Sequence, residues 1–136
     1  MRIAIVGGAL QGMEAVLLAK AAGYETIVLD RKEKAPAMSL CDQPVNLDPV
    51  KDPEEALRVF QSCDAVIPAC EEMDLLKALD SMKDRMGVPF LFDLASYNIS
   101  SSKNKSNEVM ASVGVPLPQP WRGPRQGAGR PAGAQG

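Results

Sequence analysis

The sequence predicts an α/β domain built on a parallel, doubly wound sheet of about five strands in the order 3-2-1-4-5, with helices on both faces. Three observations point there. Short apolar runs alternate with helix-patterned runs from Ile3 to Phe92. The first of them passes straight into a glycine turn, Gly7-Gly8-Ala9-Leu10-Gln11-Gly12, and the second closes on an acid, Asp30. Alternating strand and helix patterns favour parallel pairing, because each crossover helix returns the chain to the same edge of the sheet.

Each element has its own signal. Ile3 to Val6 is a short apolar strand, and the run from Met13 to Ala22 behind the glycine turn reads as an amphipathic helix stopped at Gly23. The second strand runs from Thr26 to Leu29, and Pro44 to Leu47 is a weaker third. Asp52-Pro53-Glu54-Glu55 supplies an N-cap, a proline at N1 and a capping-box acid ahead of Ala56, Leu57, Val59 and Phe60. Asp64-Ala65-Val66-Ile67-Pro68 is the fourth strand. Leu75, Leu76, Leu79, Met82 and Met86 share one face of a helix expected from about Glu71, with Gly87 closing it. Val88-Pro89-Phe90-Leu91-Phe92 is the fifth strand, and a last helix from about Ser102 to Val113 stops at Gly114, ahead of Pro116, Pro118 and Pro120.

Composition narrows the chemistry. With 46% hydrophobic residues and a net charge of −2, the 136-residue chain has the make-up of one soluble domain with a real core. No stretch approaches the roughly 18 apolar residues of a membrane span, and Met1-Arg2 leads into a strand rather than a signal peptide, so a cytoplasmic setting is expected. There is no histidine, which excludes Ser–His and Cys–His nucleophilic pairs and the common zinc sites. Cys41, Cys63 and Cys70 are odd in number, lack metal or redox spacing and read as reduced thiols. Residues 122–136 use only Arg, Gly, Pro, Gln and Ala; three of the 15 basic residues lie there, leaving 12 against 17 acids in the remainder. Such a tail cannot repay its ordering entropy and is expected to be disordered. All five residue types have GC-rich codons, which fits truncation or a frameshift, and three arginines make too weak a basic patch to imply nucleic acid.

A strand, a glycine turn and a helix N-terminus form an anion site, because unpaired N–H groups and the positive end of the helix dipole meet there. The turn is close to the dinucleotide fingerprint, but Ala9 stands where a glycine lets the backbone approach a pyrophosphate. Asp30 sits where a ribose-reading acid belongs. Met13 after Gly12 excludes a phosphate loop that requires lysine. Tight helix–strand packing alone also explains the glycines. Asp48 and Glu71 fall at the carboxyl ends of the third and fourth strands, where open α/β sheets form their crevice. Glu71 suits an ammonium group, or simply the first turn of a helix. Lys103 opens the last helix, where a cation is disfavoured by roughly 0.3–1 kcal/mol unless an anion such as phosphate lies near.

The segment Leu91-Phe92-Asp93-Leu94-Ala95-Ser96-Tyr97-Asn98-Ile99-Ser100, then Ser102-Lys103 and Ala111-Ser112-Val113-Gly114-Val115-Pro116-Leu117-Pro118, resembles the start of the ATP-binding half of ATP-grasp carboxylate–amine ligases. In that superfamily a small Rossmann-like domain comes first, followed by a helix with an ATP-contacting lysine and a Gly-x-Pro-x-Pro turn. The opening Gly7-Gly8-x-Leu10-Gln11-Gly12-x-Glu14-Ala15 narrows the resemblance to the ligases of pyrrolysine biosynthesis, which join 3-methylornithine to the ε-amine of lysine through an acyl-phosphate. The resemblance runs from Met1 to about Pro120 and accommodates Ala9. It implies a Rossmann-like pre-ATP-grasp domain at residues 1–100 and a helix and Pro-rich lead-in to an absent ATP-grasp domain at 101–120, with the tail at 121–136.

By position, the resemblance places Ala9, Asp30, Asp48, Pro49 and Lys103 on the ATP side and Leu10, Gln11 and Glu71 on the amino-acid side. It implies ATP and Mg²⁺ as cofactors, 3-methylornithine and lysine as small-molecule partners, and allows a homodimer, with neither membrane nor nucleic acid involved. No catalytic residue and no metal ligand is assigned, because the family's phosphate-covering loop and acidic Mg²⁺ ligands belong to segments beyond Trp121. A chain lacking them is expected to be inactive alone. A nicotinamide-binding dehydrogenase domain and a non-catalytic nucleotide- or amino-acid-binding fragment are the alternatives; Ala9 and the Gly-x-Pro-x-Pro ending count against the first.

Overall fold

The computed structural model describes residues 1–118, so the basic tail expected at 121–136 lies outside the described residues. In chain order the elements are β1 (Arg2–Val6), α1 (Leu10–Ala21), β2 (Glu25–Asp30), a 3₁₀ turn (Pro36–Ser39), β3 (Gln43–Asn46), α2 (Pro53–Gln61), β4 (Ala65–Pro68), α3 (Met73–Met86), α4 (Leu94–Ser100) and α5 (Lys103–Ser112). One compact unit spans Met1–Asn98 and a second begins at Ile99. The strands form a parallel sheet in the order β3-β2-β1-β4, with Ile3 paired to Thr26 on one side and to Ala65 on the other.

Strand alternation sets the two core layers, since successive side chains on a strand face opposite sides. Ala4 and Val6 of β1, with Ile27 and Leu29 of β2 and Val66 of β4, pack against Ala56, Leu57 and Phe60 of α2 and Leu79, Met82 and Met86 of α3. Ile3, Ile5, Val28 and Ala65 lie in the opposite layer with Val16 of α1 and Ala37 and Met38 of the 3₁₀ turn. β1 and β2 are therefore buried on both faces, which is why they read as continuous apolar runs.

Four expectations need correction. The fifth strand shrinks to a single parallel bridge between Val66 and Phe90. Pro89 has no N–H to give a ladder; its carbonyl accepts from Val66 (2.9 Å), Leu91 N–H reaches back to Val66 (2.9 Å), and Phe92 N–H already turns inward to Phe90 (3.0 Å). α1 starts at Leu10 rather than Met13 and is not amphipathic: Leu17 and Leu18 are exposed while only Gly12 and Val16 are fully buried. The capping box at α2 does not form, because Asp52 makes no side-chain cap, Glu54 pairs with Arg85 (2.8 Å) and Glu55 pairs with Arg58. α3 begins at Met73, leaving Glu71 in the loop before it.

α4 was not anticipated. Asp93 starts it by accepting from Ala95 N–H (2.9 Å) and the Ser96 hydroxyl (2.7 Å), and the rings of Phe90, Phe92 and Tyr97 pack in series, tilted to one another, with centroids 5.7 and 5.4 Å apart. In the second unit, Ser102 caps α5 by accepting from Lys105 N–H, and Gly114 ends it with φ +77°.

Two contacts lock α1 onto the sheet. A Cβ on Gly12 would lie 2.1 Å from the Gly7 carbonyl oxygen, so the helix rests directly on the turn. At the far end Lys20 Nζ reaches Asp42 Oδ1 (2.9 Å), while Asp42 Oδ2 accepts from both the N–H and the hydroxyl of buried Thr26 (2.9 Å each). Lys20 first, and then the two Thr26 donors, lower the Asp42 carboxyl to about 2.

Gly12→Ala is expected to cost about 1–3 kcal/mol of overpacking, and roughly 4–8 °C of thermal midpoint per kcal/mol, by calorimetry or denaturant melts. An unchanged midpoint would show that α1 lifts freely from β1. Asp42 has a folded pKa below its unfolded one, so its contribution is present in full above about pH 4 and fades as the pH falls towards 2. Denaturant melts from pH 5 to pH 2 should show a shallower acid loss in Asp42→Asn than in the wild type; identical acid limbs would contradict the Asp42 network.

Candidate functional site

The ends of β1, β2 and β4 open onto one cleft of about 390 Å³, at the carboxyl edge of the sheet. Ligand crevices of open α/β sheets lie at this edge, where neighbouring strands lead the chain to opposite faces. Here α1 follows β1 on one face and α3 follows β4 on the other.

The glycine turn forms its floor. Gly7 has φ +109°, a conformation that favours glycine, and a Cβ there would meet the Ala69 carbonyl oxygen at 2.7 Å. Gly8 N–H donates to Asp30 Oδ2 at 2.7 Å, a reach that a side chain on Gly8 would obstruct at 3.2 Å from the same oxygen. Asp30 Oδ1 accepts from Lys32 N–H (2.7 Å), and the Asp30 carbonyl accepts from Asn46 Nδ2 (3.0 Å) and Leu47 N–H (3.1 Å). One carboxylate thus ties the β1–α1 turn to the chain after β2. Ala9 stands at the N-cap of α1 without a side-chain cap, which leaves first-turn N–H groups for an outside acceptor.

Gln11 and Glu71 meet across the cleft, Nε2 to Oε1 at 3.0 Å, joining α1 to the loop after β4. Asp48 lies in the same lining with Pro49 and holds its own turn by accepting from Val50 N–H at 3.0 Å. Of the sequence-predicted residues, Ala9, Gln11, Asp30, Asp48, Pro49 and Glu71 line the cleft. Leu10 does not: it is 69% exposed on the outer side of the first turn of α1. Lys103 is the first residue of α5 in the second unit.

Sequence reasoning passed over Arg31, Lys32 and Lys34 after β2, and Cys70 and Glu72 after β4, all of which line the cleft. Their signal was adjacency to Asp30 and Glu71 at strand ends. Arg31 Nη1 reaches Glu72 Oε1 at 3.0 Å. Burial pushes the Cys70 thiol up, which suppresses the thiolate. Among the described residues, no group of three or more His, Cys, Asp or Glu side chains is placed to hold a metal, and no helix is long and apolar enough to cross a membrane.

These features define an open α/β domain with a crevice at its switch point, part apolar and part charged. The family model described as PylC-like, N-terminal domain, matches residues 3–91, and the chain belongs to that family. It is 38% identical over 117 residues to the 3-methyl-D-ornithine–L-lysine ligases of Methanosarcina acetivorans and Methanosarcina barkeri, a match covering 86% of this chain and 32% of each relative. The chain therefore spans about a third of the length of these relatives. Among solved structures, the N5-carboxyaminoimidazole ribonucleotide synthetase of Thermotoga maritima shares the fold with a TM-score of 0.66 at 23% identity, over 87% of this chain and 32% of that one. The enzyme of the same name from Thermus thermophilus gives 0.68 at 21%, over 85% and 31%.

Asp30→Asn keeps one acceptor oxygen where two are used, so one of the Gly8 and Lys32 N–H groups is left facing an amide NH₂. The expected outcome is a loss of roughly 1–3 kcal/mol in denaturant melts and displaced amide resonances at Gly8 and Lys32. Unmoved resonances at both positions would show that the carboxylate does not organise the turn.

Proposed function

We propose that this chain is the substrate-facing N-terminal domain of an ATP-dependent carboxylate–amine ligase, serving the union of 3-methylornithine with the ε-amine of lysine in a cytoplasmic pathway to pyrrolysine. The family match and the identity to ligases of that name support the reading. The observation that carries it is the convergence of the uncapped glycine turn, Asp30 and the Gln11–Glu71 pair on one cleft.

In this reading Ala9, Asp30, Asp48 and Pro49 form the nucleotide side. The uncapped start of α1 suits an anionic group, and the lone pairs of Asp30 not used by Gly8 and Lys32 suit ribose hydroxyls. In the second unit, Lys103 at the start of α5 is assigned separately to the nucleotide, as a cation whose cost to its own helix a phosphate offsets. Glu71, held in place by Gln11, receives an ammonium group, and Leu10 offers apolar contact from the outer side of the same turn. ATP, when bound, supplies the phosphoryl group that activates a carboxylate towards the amine. Mg²⁺ is assigned, as the family resemblance implies, to acidic segments of the ligase beyond Trp121. Without that charge neutralisation the transfer step has no support, and residues 101–120 serve to lead into the domain that provides it.

Amide NMR titrations of the 136-residue chain test the reading. ATP should bind weakly and move Gly8, Ala9 and Asp30; L-lysine or 3-methylornithine should move Gln11 and Glu71; phosphate release with Mg-ATP and both amino acids should stay at background. Preference for NAD⁺ over ATP at the glycine turn, or amino acids that leave Gln11 and Glu71 unmoved, would overturn it.

A further inference from the structure

Charge is divided across the cleft. The cations Arg31, Lys32 and Lys34 follow β2 and line one side, beside Asp30 and Asp48, while Glu71 and Glu72 follow β4 and line the other, which has no cation of its own. β1 separates β2 from β4 in the sheet, so the two sides stand about 10 Å apart at the usual strand spacing. The Arg31 side chain bridges that gap, with Nη1 3.0 Å from Glu72 Oε1. Arg31 and Lys32 also line a second recess, with Asn46, Lys51 and the acids Asp48 and Asp52, so Arg31 borders both openings.

The two acids are held differently. Glu71 is held by a neutral donor, Gln11, and Glu72 by a cation, Arg31. While that ion pair stands, Arg31 is engaged and Glu72 is neutralised. Both side chains are about half exposed, at 55% and 46%, and exposed ion pairs of this kind are weak enough for a ligand charge to displace either partner.

We infer that the Arg31–Glu72 pair couples the two sides of the cleft: an ammonium group arriving at Glu71 and Glu72 releases Arg31 to an anionic group on the β2 side. Binding of the amine and of the anion then favour one another, and by linkage each raises the affinity of the other by the same factor. This rests on the reading of the cleft as the seat of a nucleotide and an amino acid. Arg31 is a specificity-determining residue in this scheme, and Glu72 holds it in reserve until the amine is present. The weakness of the pair limits the coupling to about two- to fivefold.

The test is calorimetric titration of the full chain with ATP, with and without saturating L-lysine, and of L-lysine with and without ATP, in the wild type, Glu72→Gln, Arg31→Gln and Arg31→Lys. In the wild type, L-lysine should tighten ATP by about two- to fivefold and ATP should tighten L-lysine equally. Glu72→Gln should bind ATP more tightly from the outset and lose the response to L-lysine. Arg31→Gln should bind ATP more weakly than Glu72→Gln and also lose the response, while Arg31→Lys keeps part of it. Adenosine, which carries no phosphate, should not respond to L-lysine in any variant. Independent binding of ATP and L-lysine in the wild type, or coupling that persists in Glu72→Gln, overturns the inference and leaves the proposed ligands standing. Failure of the wild type to bind either ligand overturns both.

Discussion

Gly12 rests against the carbonyl of Gly7, at a place where a Cβ would lie 2.1 Å from the oxygen, and the carboxyl edge of the sheet depends on that approach. It brings the first turn of α1 down onto the end of β1. Gln11, one residue earlier, can then reach Glu71 beyond β4, and the turn presents Gly8 N–H to Asp30 at 2.7 Å. Asp30 completes the arrangement by accepting from Lys32 N–H with its other oxygen, so that one carboxylate fixes the exits of both β1 and β2. Raising the helix by the width of one methyl group would disturb all of these contacts together.

Stability and site chemistry are separated in space. The buried apolar residues lie above and below the sheet, against α2 and α3 on one face and against α1 and the 3₁₀ turn on the other. The charged residues collect at the carboxyl edge, where Gln11–Glu71 and Arg31–Glu72 are exposed and contribute little to folding. A fold held by its apolar layers can exchange partners at that edge without unfolding. The cleft is therefore a place where the protein's own charges can exchange partners while the core stays intact.

Much of the fold was legible because β1 and β2 are buried on both faces and read as continuous apolar runs, the first ended by a glycine and the second by an acid. What was misread depended on distant partners or on single residues. Glu55 stands at the capping-box position yet turns to Arg58, one turn on, while its neighbour Glu54 pairs with Arg85, 31 positions away in sequence. Pro89 reduces the fifth strand to one bridge, and α4 is too short to show a period, although Asp93 followed by Ser96 marked its start. At the cleft, Asp30, Asp48 and Glu71 could be singled out because each ends or follows a strand. Arg31, Lys32, Lys34 and Glu72 carry no motif or spacing of their own, and it is the path of the loops after β2 and β4 that brings them to the same opening. Leu10 went the other way: adjacent to Gln11 in sequence, it turns outward because neighbouring residues on a helix do not share a face.

The central claim is that the edge organised by Gly8, Asp30 and Glu71 is where ligands sit. A crystal structure of the chain grown with saturating ATP and L-lysine tests it most directly. The account predicts nucleotide density against the Gly8–Ala9 turn and Asp30, and an amine within hydrogen-bonding distance of Glu71. Both ligands ordered elsewhere on the molecule, with the Gln11–Glu71 and Arg31–Glu72 contacts intact, would contradict it.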